Sequence, residues 1–169
     1  MELSVTGAST FPTGLESVSD FTSPNDLIIF QIKATQPNIN SIGMLCGLST
    51  SGGFNSDERI MIARDTSTLG AYRCLVRDGA VNESDTNTGI ASGKDVRIKY
   101  TPSTGDVLFE YWNGSVWTDF GIVGANIDLG TSVSVFLFIA NTTDDAGGNK
   151  VIYDDFFISD NDYLTQYPV

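Results

Sequence analysis

Two tryptophans five positions apart, Trp112 and Trp117, stand out in a chain that has no others. Glu110 and Asn113 lie beside them, and Arg97 sits in the strand-like run just upstream. Flat indole faces stack on the C–H faces of sugars, while carboxylate, guanidinium and amide edges take up hydroxyl groups. Arg97, Glu110, Trp112, Asn113 and Trp117 therefore form a candidate glycan-binding site. The competing reading is that both indoles pack under a loop or against a neighbour. A second set of residues is rich in oxygen: Asp144, Asp145 and Asn149 share one loop, and Asp154 follows in the next apolar run. Hard cations bind such donors, so calcium is the ion these four would hold, although no cofactor is required. Their spacing matches no EF-hand, and solvated Asx turns account for the same composition.

Much chemistry is excluded by what is missing. The chain has no histidine, which removes the Ser–His–Asp triad, a histidine general base and His-ligated zinc. Retaining glycosidases need two carboxyl groups ~5–5.5 Å apart, hence near neighbours on one sheet face. No Glu-x-Asp-x-Glu run supplies them. The expectation is a protein that is not an enzyme.

The formal net charge is −12, which opposes binding to nucleic acid. Seven of the nine basic residues, Arg59, Arg64, Arg73, Arg77, Lys94, Arg97 and Lys99, fall within one stretch of the chain. They read either as part of a solvated surface or as a cationic strand group that docks on an acidic face of another copy. No apolar run reaches the ~20 residues of a membrane span, so no membrane insertion is expected. The first residues, Met1-Glu2-Leu3-Ser4, show no basic region followed by an apolar one. Cys46 and Cys74 both lie in alternating apolar runs, where two buried thiols are favoured over a disulfide.

The elements that must position these residues are strands. Hydrophobicity alternates with a period of two over Glu2–Thr6, Leu27–Thr35, Ile42–Thr50, Arg59–Arg64, Leu69–Arg77, Asp95–Thr101, Val107–Trp112, Val116–Phe120, Ser132–Asn141 and Lys150–Ser159. Clusters of Gly, Ser, Asn, Asp and Thr separate them, the pattern of a sandwich or barrel. Asn113-Gly114 suits a two-residue type I′ turn. That turn sets Tyr111 opposite Val116, Phe109 opposite Thr118 and Glu110 opposite Trp117. The preceding turn sets Ile98 opposite Phe109 and Arg97 opposite Glu110. One face then gathers Val96, Ile98, Tyr100, Val107, Phe109, Tyr111 and Val116 as core. The other carries Arg97, Lys99, Leu108, Glu110, Trp112 and Trp117, with an Arg97–Glu110 ion pair beside two indoles. Val133 to Ala140 is apolar on both parities and reads as a central strand. Asp154 falls among Ile152, Phe156 and Ile158, where a carboxylate would need donors or a cation.

The run Asp95–Tyr100, a turn, Val107–Trp112, Asn113-Gly114 and Trp117 resembles the hairpin pair of concanavalin A-like (laminin G-like) jelly rolls. The ending Val151-Ile152-Tyr153-Asp154-Asp155-Phe156-Phe157-Ile158 is similar to the closing strand of that superfamily. The resemblance implies an all-β, two-sheet antiparallel jelly-roll sandwich. It also implies glycan binding on a sheet face and, in some members, structural calcium. Residues 1–169 are read as a single jelly-roll domain, with 1–26 an N-terminal arm or edge strand and 160–169 a C-terminal tail. Strong acidity, no export signal and no catalytic set lead to a non-catalytic protein of a virus or phage particle surface (capsid decoration, fibre or tail module). It would touch a glycan or a neighbouring virion or surface protein, as a homo-oligomer or part of an assembly. A lectin-like module of a secreted or cell-surface protein is the alternative, and a glycoside hydrolase or polysaccharide lyase stands third. The expected location is the virion surface or the extracellular space.

Overall fold

The structure is a computed structural model, and it describes residues 2–5, 9–17, 19–35, 42–50, 58–64, 71–79, 81–85, 90, 93–124, 126–141 and 149–161. The described residues form thirteen strands and no helix. One sheet has six strands in the order β1 (Glu2–Val5), β13 (Asn149–Ser159), β4 (Ile28–Thr35), β9 (Asp95–Thr101), β10 (Asp106–Trp112) and β11 (Trp117–Gly124). The other runs β2 (Ser9–Glu16), β12 (Ser132–Asn141), β5 (Ile42–Ser49), β6 (Arg59–Arg64), β7 (Tyr72–Asp78) and β8 (Val81–Asp85), with β3 (Phe21–Thr22) also on β12. The pairings are antiparallel, and the architecture is an all-β two-sheet sandwich.

Period-two alternation builds the core directly. Ile28, Phe30 and Ile32 of β4 point inward beside Val96, Ile98 and Tyr100 of β9 and Val107 and Phe109 of β10. From the other sheet, Cys46, Leu48, Ile60, Ile62, Tyr72, Cys74 and Val76 meet them. Each buried aliphatic or phenyl side chain contributes roughly 1.5–3 kcal/mol of transfer free energy. Polar tips inside this core are anchored. The Tyr100 hydroxyl accepts from the Leu129 amide at 2.9 Å and donates to the Ile127 carbonyl at 3.4 Å, tying the 126–130 segment to β9. Tyr72 does the same for residues before β9, accepting from the Gly93 amide and donating to the Lys94 carbonyl.

The Val133–Ala140 run lies within β12, between β5 on one side and β2 and β3 on the other. Residues 133–137 are buried on both parities. Cys46 and Cys74 are free and buried. Each is the Cα partner of Ile62, so a whole strand separates them. Two strand spacings amount to roughly 9.5 Å, beyond the ~7 Å between Cα atoms that a disulfide tolerates.

Several expectations are corrected. The β10–β11 turn is a four-residue loop, Asn113–Val116, closed by a hydrogen bond from the Asn113 amide to the Val116 carbonyl. The Asn113 side chain holds this wider loop, and the register moves by two: Trp112 faces Trp117, Tyr111 faces Thr118 and Glu110 faces Asp119. An even shift preserves parity, so the faces stand, except that Val116 leaves the core and is 58% exposed at the loop tip. Asp154 is also not on an apolar face. The pairing jumps from Asp154–Lys33 to Phe157–Gln31, a bulge in which Asp155 has φ 49° and the Asp155 amide bonds the Asp154 carboxylate. Asp154 is thereby turned to solvent.

Strands β2, β3 and β8 carry no clear alternation. β2 contains Pro12 and Gly14, which argue against a strand; as an edge strand of its sheet it tolerates a proline. β1 and β2 lie at the edges of their sheets. The Leu69 and Gly70 start of the Leu69–Arg77 segment and most of the 160–169 tail lie outside the described residues.

Replacing Tyr100 with Phe leaves the buried Leu129 amide without its acceptor. The expected loss is about 1–3 kcal/mol of unfolding free energy, read from urea denaturation.

Candidate functional site

On the outer face of the six-stranded sheet, β9 and β10 place Arg97 directly opposite Glu110. The Arg97 Nε lies 2.6 Å from Glu110 Oε2, and both side chains are almost completely buried. What covers Arg97 is aromatic. The Arg97 guanidinium carbon lies 4.3 Å from the centroid of the Trp117 ring, a cation–π contact. Trp117 in turn meets its cross-strand partner Trp112 edge to face, with centroids 5.6 Å apart and planes at 63°. Low dielectric under the indoles strengthens the ion pair, and the ion pair fixes the indole above it. Both tryptophans keep part of their surface in solvent.

The loop that joins the two tryptophans is firmly held. Asn113 Oδ1 accepts from the Ser115 and Val116 amides, and its amide nitrogen donates to Thr118 Oγ1 at 2.8 Å. Gly114, at φ 104°, supplies a conformation that a side chain would resist. The five sequence candidates are thus brought together, with unequal parts. Trp112 and Trp117 offer surface, whereas Arg97, Glu110 and Asn113 are committed to holding them. Two neighbours emerge only with the observed register: Asp119, exposed opposite Glu110, and Val116 at the tip. A four-residue turn would have revealed both.

Further across the same face, Asp95 and Gln31 are buried, and each presents a side-chain oxygen (Asp95 Oδ1, Gln31 Oε1) without a hydrogen-bond partner. Gln31 pairs with Arg97 and Lys33 with Asp95, so the two oxygens belong to diagonal neighbours. Burial pushes the Asp95 carboxyl above the ordinary aspartate range, with Asp155 adding to the rise while Lys33 and Lys94 oppose it.

Of the calcium candidates, Asn149 and Asp154 are among the described residues. Asp144 and Asp145 lie outside the described residues, Asn149 opens β13 opposite Val5, and Asp154 is exposed and bonded to the next amide. Among the described residues no group of three acidic or cysteine side chains is placed to hold a metal. Likewise, no helix among them is long and apolar enough to cross a membrane.

No protein-family model and no curated protein sequence matches the chain. Solved structures do. The CBM2 module of the Lactobacillus casei BL23 phage J-1 evolved Dit aligns over 92% of this chain and 74% of its own, with a TM-score of 0.60 and 9% identity. A β-1,3-1,4-glucanase (lichenase) derived from a mouse hindgut metagenome covers 93% and 77%, with a TM-score of 0.60 and 10% identity. This chain has a concanavalin A-like jelly-roll fold. The Bacillus licheniformis β-glucanase aligns over 85% of the chain and 67% of its own at 11% identity and a TM-score of 0.55. At these identities the likeness is one of concanavalin A-like architecture.

Glu110→Gln leaves the buried Arg97 charge uncompensated. It is expected to cost about 3–5 kcal/mol, and the Arg97→Met/Glu110→Leu double variant less, by thermal and urea denaturation. Asp95 gives a pH signature. Its folded pKa is raised, so folding takes up a proton between the ordinary and the raised value, and stability declines as pH climbs through that window. Asp95→Asn should flatten that segment of the stability–pH curve.

Proposed function

We propose that this chain is a non-catalytic glycan-binding module on the surface of a virus or phage particle, with the paired indoles of Trp112 and Trp117 as its sugar platform. The observation that carries this reading is the edge-to-face indole pair, held from beneath by a buried ion pair and from the side by the Asn113 loop. A platform fixed before its ligand arrives loses little side-chain entropy on binding. Exposed Asp119 stands at its margin as a hydroxyl acceptor. The phage module with the same architecture, a CBM2 module, supports the particle setting.

A glycanase reading draws on the two glucanases of the same fold. The carboxylates among the described residues argue against it. The residues of β6 and β7 that face away from the core are Arg59, Met61, Ala63, Arg73, Leu75 and Arg77, with no acid among them. On the other sheet Glu110 and Asp119 are cross-strand partners, but Glu110 is buried and ion-paired with Arg97, closed to a substrate.

Binding is tested on a glycan array with native protein, with and without chelator, followed by retention on the best polysaccharide. Trp112→Ala should abolish retention and leave the melting temperature within a few degrees. Trp117→Ala should lose both retention and stability, because it uncovers Arg97 and Glu110. A Trp112→Ala protein that binds normally would refute the platform. Antibody labelling of intact source particles tests the location.

A further inference from the structure

The loop that joins the two tryptophans carries a second chemistry, directed at its own backbone. Asn113-Gly114 is the single Asn-Gly pair in the chain. An asparagine side-chain carbonyl and the next backbone nitrogen are spaced to close a five-membered ring. A glycine in second place leaves that nitrogen open to close approach. Residues 113–116 are exposed, so water and hydroxide reach the loop.

The fold prepares this ring closure in three ways. Asn113 Oδ1 accepts from the Ser115 amide at 2.9 Å and from the Val116 amide at 3.0 Å. Two backbone donors aimed at one carbonyl oxygen polarise it and stabilise the oxyanion that forms when its carbon is attacked. The same bonds fold the side chain along the Gly114 peptide, and the bond from Nδ2 to Thr118 Oγ1 at 2.8 Å keeps it there. Orientation set in advance lowers the entropic part of the barrier. The nucleophile is also free: among the described residues the Gly114 amide has no acceptor. A Cβ built at Gly114 would meet nothing within 4 Å, so nothing shields the nitrogen from solvent. Asn126 is the contrary case, because the next residue, Ile127, is buried and donates its amide to the Gly105 carbonyl.

We propose that Asn113 is a self-modification site, at which the loop converts its own asparagine to aspartyl and isoaspartyl products. Hydroxide removes the Gly114 amide proton, and the nitrogen forms a bond to Asn113 Cγ. The carbonyl electron pair passes to Oδ1, held by the Ser115 and Val116 amides. The Cγ–Nδ2 bond then breaks as Nδ2 takes a proton from water and leaves as ammonia. Water opens the resulting succinimide at either carbonyl. The net change is one water consumed and one ammonia released, with no oxidant or reductant. Opening at the backbone carbonyl lengthens the main chain by one methylene. That product cannot keep the bonds to Ser115, Val116 and Thr118, so the loop between Trp112 and Trp117 loosens as the protein ages. The modification needs no ligand; its effect on sugar retention rests on the platform reading.

Native and guanidinium-unfolded protein, incubated side by side at mildly alkaline pH, test the site. Peptide mapping by mass spectrometry follows the gain of about one dalton and the isoaspartyl fraction at residue 113, with released ammonia measured in parallel. Asn113 should convert at least about tenfold faster in the native protein, as expected for an oxyanion held by two donors. Ser115→Pro removes one of those donors and should bring the native rate toward the unfolded one. Thr118→Val frees Nδ2 but spares both backbone donors, and it should slow the native reaction without disturbing the turn. Tryptophan emission should drift in step with the isoaspartyl fraction. Asn113→Gln, whose longer side chain closes a ring less readily, should show neither mass gain nor drift. An equal or slower rate in the native protein would overturn the proposal, since the hydrogen bonds would then protect the amide. So would no conversion at residue 113, or unchanged native rates in both Ser115→Pro and Thr118→Val. Fresh protein that binds no glycan would refute the platform and leave the modification as it stands.

Discussion

A pleated strand can bury only one parity unless something covers the other, and this constraint governs the whole molecule. Ile28, Phe30 and Ile32 face Cys46, Leu48, Ile60 and Ile62 across the interior because both sheets keep strict alternation there. Once those positions are taken, Gln31, Arg97 and Glu110 must lie on the outer face of one sheet, and Ser49, Arg59 and Arg77 on the outer face of the other. Chemistry in this fold is what those outward positions carry, and the core determines where they stand.

The outer face of β9 to β11 shows how a polar surface becomes rigid. A charged pair in water contributes little, whereas the Arg97–Glu110 pair lies beneath an indole that excludes water and is oriented by the cation below it. One face of the Trp117 ring thus packs on Arg97 while part of the side chain stays in solvent.

Alternation made the sandwich, the core residues of β9 and β10 and the Arg97–Glu110 contact legible in the sequence, since each depends only on parity and on one short turn. Where breakers or polar residues interrupt the pattern, as at Pro12 and Gly14 in β2 or along Val81–Asp85, edge strands went unseen because pairing with a neighbour, not burial, holds them. The position of Asp154 was illegible for a different reason. A one-residue bulge at Asp155 reverses the facing of everything after it, and no residue type announces it. Asn113-Gly114 signalled a turn correctly but not its length, which was decided by the Asn113 carbonyl reaching two amides beyond. The commitment of Arg97 and Glu110 to each other was visible as a pair. That it closes both to a ligand depended on where the Trp117 ring came to lie.

The two thiols have a consequence for oxidising and reducing surroundings. Cys46 and Cys74 lie on either side of Ile62, too far apart to join, and burial pushes the Cys46 thiol well above its ordinary range, leaving almost no thiolate to react. A fold stapled by a disulfide must wait for an oxidant before it is complete. This one needs none, so the same native state can form in a cell that keeps thiols reduced and persist after release into one that does not.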